Sequence, residues 1–142
     1  MRLWHYQLLP YLPRTQLLSQ KREIDLIWKN LEQGKETHHI LIDYIWDCSF
    51  PELKLAYYYY LLKNEFDKRG YKFKDNSILK NVNSDTFKDM YGYKVTPYGE
   101  HNLDYLLQCY YNLEEKYQRG QKDFTKEEFN RLHYAISKIK RS

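Results

Sequence analysis

The sequence predicts an all-α protein, a single compact domain of three to four main helices with an extended N-terminal segment and one long irregular loop. Three observations favour this fold class. Apolar residues recur at helical spacing over several long stretches. Proline, glycine and capping-box residues stand where such helices would begin and end. A length of 142 residues suffices for one domain with a substantial core, so we expect residues 1–142 to form one unit.

The N-terminal segment, residues 1–13, is apolar and contains two prolines, so we expect an extended or single-turn structure packed on the body. Burial of its large apolar side chains would fix the start of the chain. We expect Trp4 to lie in the core, and His5 either to lie there too or to form a hydrogen bond near a functional site. The apolar side chains concerned are Leu3, Trp4, Leu8 and Leu9.

The first helix is expected to begin at Pro13 and to run to about Glu32. Proline suits a first helical turn because its φ is fixed there and its missing N–H costs nothing. The apolar side of the helix consists of Leu17, Ile24, Ile27, Trp28 and Leu31. A polar side close to the chain start consists of Thr15, Gln16, Ser19, Arg22 and Glu23. Gly34 is the expected stop.

The segment from Thr37 to Cys48 is expected to form a short buried helix, since its apolar residues at 41, 42, 45 and 46 follow helical spacing. It contains His38 and His39. Adjacent histidines on a helix point in different directions and make a poor chelating pair. An exposed position or a phosphate contact therefore fits them better than a metal site.

A long second helix is expected after Ser49, whose spacing from Glu52 is that of a capping box, and Gly70 is the expected end. Its apolar stripe consists of Leu55, Tyr59, Leu62 and Phe66. The four consecutive tyrosines Tyr57–Tyr60 circle the helix. We expect most of them to be core or half-exposed packing residues, because tyrosine buries its ring while its hydroxyl stays hydrated.

The rest of the chain is expected to contain one irregular stretch and two helices. From Tyr71 to Gly99 helical periodicity lapses, which leaves at most a short helix around Thr86 to Met90. The end of this stretch mixes aromatic residues with glycine and lysine, so it either packs on the body or stacks on an exposed base. Two helices follow, over Glu100 to Arg119 and from a capping box at Thr125. Their expected inward faces are Leu103, Leu106, Leu107, Tyr110, Leu113 and Tyr117, then Phe129, Leu132, Ile136 and Ile139.

Charge is concentrated at the two ends of the chain. The net charge is +4, and residues 1–35 and 126–142 each carry a net +3. These ends form one phosphate-binding surface if they lie together, and two solvated helix faces if they do not. No apolar run approaches the ~20 residues that cross a bilayer, and no secretory signal is visible. Cys48 and Cys109 lack motif spacing and suit free thiols, so we expect a cytoplasmic protein without a membrane partner.

Two stretches of the chain resemble the pyrimidine-dimer DNA glycosylases of the endonuclease V repair type, found in bacteria and phages. One is the opening, Met1 to His5 and then Leu12 to Ile24 with its adjacent Arg22 and Glu23. The other is the run from Lys68 to Asp75, and the pattern of the family's second helix is recognisable from Glu52 onward. The resemblance covers about half of the chain. It implies damaged double-stranded DNA as the partner, and we expect a monomer.

The resemblance implies which residues carry the chemistry. In that family the nucleophile is the N-terminal α-amine and the glutamate of the Arg-Glu pair works beside it, so the roles fall on Met1 and Glu23. An α-amine has an unperturbed pKa of about 7.7–8.0 and is partly neutral near pH 7. It can attack C1′ of a damaged nucleotide to form an imine, and a carboxylate can stabilise the developing charge and remove the 2′ proton. The implied enzyme needs neither metal nor organic cofactor.

The family pattern also implies a DNA-binding set. Arg2, Arg14 and Arg22 would hold phosphates, and Gln16 and Gln20 would contact the lesion strand. Two departures from the phage pattern stand out. The second residue is Arg2 instead of a small residue, so we expect Met1 to be retained and its own amine to serve. An arginine one turn beyond the glutamate is missing, which bears on the substrate more than on the fold.

Two other readings stay open. One is a helical module that binds nucleic acid without catalysis. The other is a related lyase that acts on another lesion or on abasic DNA.

Overall fold

The computed structural model describes residues 2–35, 39, 41–80 and 82–141, and these residues form five α-helices. In chain order they are α1 (Arg14–Glu32), α2 (Pro51–Arg69), α3 (Ser84–Gly92), α4 (Leu103–Gln118) and α5 (Lys126–Arg141). Short 3-10 helices lie at Tyr6–Tyr11, Asp43–Ile45 and Ser77–Leu79. The described residues include no β-strand, so the predicted all-α class is confirmed. None of the helices in the described ranges is both long enough and apolar enough to cross a bilayer.

The N-terminal segment packs into the body, as the sequence predicts. Leu3, Leu8 and Leu9 are buried, and Trp4 lies in the core with 6% of its surface exposed. The 3-10 helix Tyr6–Tyr11 supplies the expected single turn and contacts α2 and α5. The segment is therefore anchored in the core by its large apolar side chains, while Gln7 and Pro10 lie at the surface.

Helix α1 ends at Glu32, as predicted, and begins at Arg14, one residue after the predicted Pro13, which precedes the helix in an extended conformation. Leu17, Ile24 and Ile27 on its apolar side are buried. Because this face packs against α2, the polar side of α1 is left facing the chain start and the surface.

The predicted capping box at the start of α2 is wrong. The residue that precedes the helix is Phe50, which has a left-handed backbone with φ of 55° and no side-chain cap. Pro51 takes the first helical position, and a residue before proline is disfavoured in the helical region. Ser49 therefore lies one residue too early to cap. The predicted end at Gly70 is confirmed, with φ of 71°.

Helix α2 runs through the centre of the core. Tyr57, Tyr58 and Tyr59 are all buried and Tyr60 is half-buried, which confirms that these side chains serve mainly in packing. The middle of the helix, residues 55–62, is apolar on every side, as expected for helical turns that are surrounded by protein. Its neighbours include α1 and all three 3-10 helices.

The stretch from residue 71 to 99 is largely irregular, as predicted, but its helix α3 is longer than the expected Thr86 to Met90. The tyrosines near the end of this stretch differ in exposure. Tyr98 is buried, whereas Tyr91 and Tyr93 are 53% and 84% exposed. The packing interpretation thus holds for Tyr98, and the base-stacking interpretation stays a prediction for the two exposed rings.

The segment before α2 differs from the predicted short α-helix. The structure gives a 3-10 turn at Asp43–Ile45, where Ile42 and Ile45 are buried. His39 is exposed, and His38 lies outside the described residues.

Helices α4 and α5 pack against each other. Helix α4 starts three residues later than the expected Glu100, because the side chain of Asn102 caps it by accepting a hydrogen bond from the Tyr105 N–H. The predicted inward position of Leu103 is wrong, since it is 52% exposed. The predicted capping box of α5 is confirmed by reciprocal hydrogen bonds between Thr125 and Glu128 at 3.0 and 3.1 Å.

Candidate active site

A cavity of about 380 Å³ opens where the N-terminal segment, α1 and α4 meet. The sequence-predicted site residues that line it are Arg2, Gln16, Gln20 and Glu23. Asn112 and Lys116 contribute from α4. Met1 lies outside the described residues. The cavity thus unites four of the seven predicted site residues beside the start of the chain.

Helical spacing places the predicted residues of α1 on one face. Gln16, Gln20 and Glu23 follow at intervals of four and three, so their side chains point the same way. The Gln20 Nε2 donates to Glu23 Oε2 at 3.1 Å. The amide therefore orients one edge of the carboxylate.

The Glu23 carboxyl is half-buried at the cavity. Burial raises its pKa, and a hydrogen bond from the Arg2 backbone and the positive charges of Arg22 and Lys116 oppose that shift. A carboxyl whose pKa is raised is better matched to proton transfer near neutral pH than an exposed one.

The side chain of Gln20 joins the carboxylate to the N-terminal segment. Its Nε2 donates both to the Arg2 carbonyl oxygen at 3.1 Å and to Glu23. Its Oε1 accepts from the Trp4 N–H at 2.7 Å and lies 3.1 Å from the Tyr58 hydroxyl. The residue is 1% exposed, and its amide is occupied within the protein. The direct contact of Gln20 with the lesion strand stays a prediction.

The Trp4 ring forms an aromatic wall of the cavity beside two cations. The Arg2 guanidinium carbon lies 5.7 Å and the Lys116 Nζ 5.6 Å from the centre of the ring. Both cations also lie at the cavity that Glu23 lines. The arrangement combines a carboxyl, an aromatic face and two positive charges, a set that suits a negatively charged substrate with planar groups.

The first 79 residues of the chain match a known protein family. A family model described as pyrimidine dimer DNA glycosylase matches residues 1–79, more than half of the 142 residues. The chain belongs to the pyrimidine dimer DNA glycosylase family. The resemblance seen in the sequence is thereby confirmed, and DNA is the substrate that the family implies. No curated protein and no solved structure matches the chain.

Three of the residues predicted to bind DNA in this glycosylase-family chain differ from the rest: two lie outside the cavity, and one is paired with another side chain. Arg14 and Arg22 are exposed and do not line the cavity. The guanidinium carbon of Arg14 lies 5.2 Å from the centre of the Tyr71 ring. Gln16 lines the cavity, but its Nε2 donates to Asp123 Oδ2 at 2.9 Å.

Two cavity residues of this family member were missed by the sequence reasoning. Asn112 and Lys116 lie one helical turn apart on α4, beyond the matched range of 1–79. The only signal for them was their four-residue spacing, which puts both on one polar side of a helix. Nothing in the sequence indicated that this side faces Glu23.

The two basic ends of the chain do meet. The Arg131 guanidinium carbon on α5 lies 5.7 Å from the centre of the Tyr11 ring, and α5 contacts the 3-10 helix Tyr6–Tyr11. In the described ranges no three His, Cys, Asp or Glu side chains gather as metal ligands do.

Proposed function

We propose that this protein is a DNA repair glycosylase with abasic-site lyase activity, which attacks C1′ at a cyclobutane pyrimidine dimer through the N-terminal α-amine. Family membership supports the glycosylase class and the damaged-DNA substrate. The observation that carries the mechanism is the Gln20 amide, which donates to both the Arg2 carbonyl and the Glu23 carboxylate. One side chain thereby ties the residue next to the chain start to the proposed acid/base.

The proposed reaction has three steps. The neutral amine of Met1 forms a bond to C1′ as the bond from C1′ to the base breaks. The base leaves with the electron pair and takes up the proton that the nitrogen loses. The C1′–O4′ bond then opens, O4′ accepts a proton, and an iminium remains between the nitrogen and C1′. Removal of the 2′ proton breaks the C3′–O3′ bond and releases the phosphate with the electron pair, which nicks the strand.

We assign the proton transfers to Glu23. Its raised pKa favours a carboxyl that gives a proton to O4′ and afterwards removes the 2′ proton. As a carboxylate it also stabilises the positive iminium. The cations Arg2 and Lys116 at the same cavity would hold the phosphates that flank the lesion.

We further propose that Arg14 and Arg22 contact phosphates outside the cavity and that Gln16 faces the lesion strand. Arg14 and Arg22 are exposed, which leaves their guanidinium groups accessible to a duplex. The enzyme would act as a monomer in the cytoplasm on damaged duplex DNA, with residues 1–142 as one domain. The free thiols of Cys48 and Cys109 are compatible with that compartment.

Reduction with borohydride tests the proposal, because it traps an imine as a stable protein–DNA adduct. We expect an adduct with ultraviolet-irradiated duplex and none with intact duplex. An adduct with abasic duplex alone would instead indicate a lyase for another lesion. No adduct with irradiated or abasic duplex, despite binding, would indicate a module without catalysis.

An N-terminal extension tests the nucleophile. A tag fused before Met1 converts its primary amine into an amide, so trapping should be lost while DNA binding is retained. The control is the same protein after the tag is removed by a protease that leaves the native start. Full trapping by the uncleaved protein would contradict the assignment to Met1.

A further inference from the structure

The backbone N–H and carbonyl of Trp4 are both held by side chains, which come from two different helices. Its N–H donates to the Oε1 of Gln20 on α1 at 2.7 Å. Its carbonyl oxygen accepts from the hydroxyl of Tyr58 on α2 at 2.6 Å. Tyr58 is completely buried, and its hydroxyl also lies 3.1 Å from Gln20 Oε1. The two side chains and the Trp4 backbone thus form one buried cluster beside the cavity that Trp4 and Gln20 line.

A third helix holds the residue before Trp4. The hydroxyl of Tyr105 on α4 donates to the Leu3 carbonyl oxygen. The same tyrosine ring lies 5.9 Å from the Arg2 guanidinium carbon. Together with the bond from Gln20 to the Arg2 carbonyl, three successive carbonyl groups at residues 2, 3 and 4 accept from α1, α4 and α2.

These hydrogen bonds fix the direction of the segment, which burial alone does not. Residues 2–5 belong to no helix or strand, so their polar backbone groups must find partners elsewhere. Apolar contacts of Leu3 would tolerate a rotation or a small slide of the backbone, because the hydrophobic effect is not directional. Hydrogen bonds to three successive carbonyls do not tolerate it.

We propose that Tyr58 and Tyr105 are positioning residues, which hold the backbone of residues 2–4 so that the start of the chain stays beside the Glu23 carboxyl. This inference rests on the proposed function. Neither hydroxyl needs to touch DNA for the effect, since each acts through the carbonyl that it holds. Gln20 completes the arrangement because it binds both the segment and Glu23.

The test compares three tyrosine-to-phenylalanine variants by single-turnover borohydride trapping on irradiated duplex. For Tyr58→Phe and Tyr105→Phe we expect a loss of about 10- to 100-fold in the maximal trapping rate, since a displacement near 1 Å is enough for such a loss. The Kd for irradiated duplex should stay at the wild-type value. Both changes remove one hydroxyl and keep the ring.

Tyr57→Phe is the matched control. Tyr57 neighbours Tyr58 on α2, and its ring is buried as well. Its hydroxyl also donates to a backbone carbonyl, that of Val95 at 2.8 Å, at a partly buried position like that of the Tyr105 hydroxyl. Loss of the Tyr57 hydroxyl removes the same kind of hydrogen bond, but from the loop that contains Val95 and not from the N-terminal segment. We expect this variant to trap at the wild-type rate.

The rate of hydrogen exchange at the Trp4 amide measures how firmly the N-terminal segment is held, and it does not depend on enzymatic activity. This N–H donates to Gln20, so its exchange should be faster in Tyr58→Phe and Tyr105→Phe than in the wild type and in Tyr57→Phe. Tyr105 is less buried than Tyr58, and its variant supplies the result if Tyr58→Phe does not fold.

Two results would overturn the inference. One is trapping by both variants at the rate of Tyr57→Phe. The other is a loss of trapping in Tyr57→Phe as large as theirs, which would indicate a general effect of lost stability. A wild-type protein that forms no adduct at all would contradict the proposed function instead, and that result is distinct from both.

Discussion

The character of Glu23 follows from its position on α1. Three residues after Gln20, it lies on the same face as the amide and half-buried at the cavity. Burial raises its pKa, while Arg22, adjacent in sequence, adds positive charge. A carboxyl in this setting has a pKa suited to proton transfer and is anchored by hydrogen bonds from the Gln20 amide and the Arg2 backbone.

Replacement of Glu23 by glutamine should remove catalysis and preserve binding. The amide has the size of the carboxyl and can still contact Gln20, but it can neither give a proton to O4′ nor accept the 2′ proton. We therefore expect trapping, which needs the first transfer, and nicking, which needs both, to fall by about 10²- to 10⁴-fold. Glu52→Gln, on an exposed position of α2, is the control. Nicking of irradiated duplex by gel and binding by anisotropy give the two readouts. Unchanged nicking would disprove the role of Glu23.

Two buried histidines must stay neutral in the fold. His101 accepts at Nδ1 from the Tyr6 N–H at 3.3 Å, and its Nε2 lies 2.9 Å from the Tyr44 hydroxyl. His5 accepts at Nδ1 from a backbone N–H and pairs its Nε2 with the His101 carbonyl at 2.8 Å. A proton on either Nδ1 would face a donor. Burial lowers the pKa of His5 to about 4, and burial with the neighbouring His5 lowers that of His101 to about 3.

The protein should therefore lose stability as the pH falls below about 6.5. Between the unfolded pKa near 6.5 and the folded values of about 4 for His5 and about 3 for His101, the unfolded chain binds more protons than the folded one. The free energy of unfolding then falls with pH, by up to about 1.4 kcal/mol per pH unit for each histidine. Urea midpoints from pH 8 to 4 measure it. His101→Gln, which cannot titrate, should reduce the slope, and an identical slope would contradict the explanation.

The sequence singled out Glu23 and Arg2, which line the cavity, but not the residues of α4 beside them. Glu23 and Arg2 stood out because they belong to a linear pattern near the chain start, and their roles in the reaction stay predictions. Lys116 and Tyr105 come from α4 and reach the site only through tertiary packing. A lone lysine or tyrosine on a helix carries no signal of its partner across the fold.

At the scale of the element, helix boundaries show which local rules suffice. The start of α1 was predicted to within one residue of Pro13, because proline constrains its own backbone and is common at the beginning of a helix. The start of α2 was predicted wrongly because Ser49 and Glu52 matched a capping box while the intervening Pro51 imposed a different entry. Two local signals competed, and the covalent constraint of proline prevailed over a side-chain hydrogen bond.

Two glycines at helix ends, Gly70 and Gly92, are expected to respond in opposite directions to replacement by alanine. Gly70 has φ of 71°, whereas Gly92 at the end of α3 does not have a positive φ, and an added methyl group meets no atom within 4 Å at either. Gly70→Ala should lower the free energy of unfolding by about 1–2 kcal/mol through the left-handed backbone. Gly92→Ala should raise it by about 0.4–1 kcal/mol. Denaturant unfolding of both variants measures the contrast, and equal effects would contradict it.

At the scale of the whole molecule, the positive charges at the two chain ends and on α4 predict that the affinity for duplex DNA falls as the salt concentration rises. If Arg14, Arg22 and Lys116 each bind one phosphate, replacing any of them by glutamine should reduce the slope of log Kobs against log salt by about 1. Lys88, exposed on α3, is the control and should leave the slope unchanged. Anisotropy titrations over a range of salt give the slopes. A substitution that lowers the affinity equally at all salt concentrations would exclude a phosphate contact for that residue.

One cooperative unfolding transition is expected for the full chain. Buried residues from the N-terminal segment and from every α-helix belong to a common core, among them Leu3, Ile24, Tyr58, Phe87, Leu106 and Leu132. The family match ends at residue 79, yet α4 supplies Lys116 to the candidate cavity and Tyr105 to the N-terminal segment that borders it. Far-ultraviolet circular dichroism and tryptophan fluorescence should therefore give coincident denaturation curves. Separate transitions would contradict a single domain.

The fold class was predictable because it depends on periodicity, which each helix carries in its own sequence. The site was predictable only in part, since α1 and the chain start define one half of the cavity and α4 the other. The segment before α2 was predicted as an α-helix and is a 3-10 turn at Asp43–Ile45, because the spacing of Ile42 and Ile45 fits either structure.

The hydrogen bonds that Gln20, Tyr105 and Tyr58 donate to residues 2–4 all end on backbone carbonyl oxygens. A carbonyl offers the same acceptor whatever side chain stands beside it, so these bonds set no requirement on the identity of the residue before Arg2. Under the proposed function, exchange of that first residue for another amino acid, natural or synthetic, should therefore keep the course of the backbone at residues 2–4.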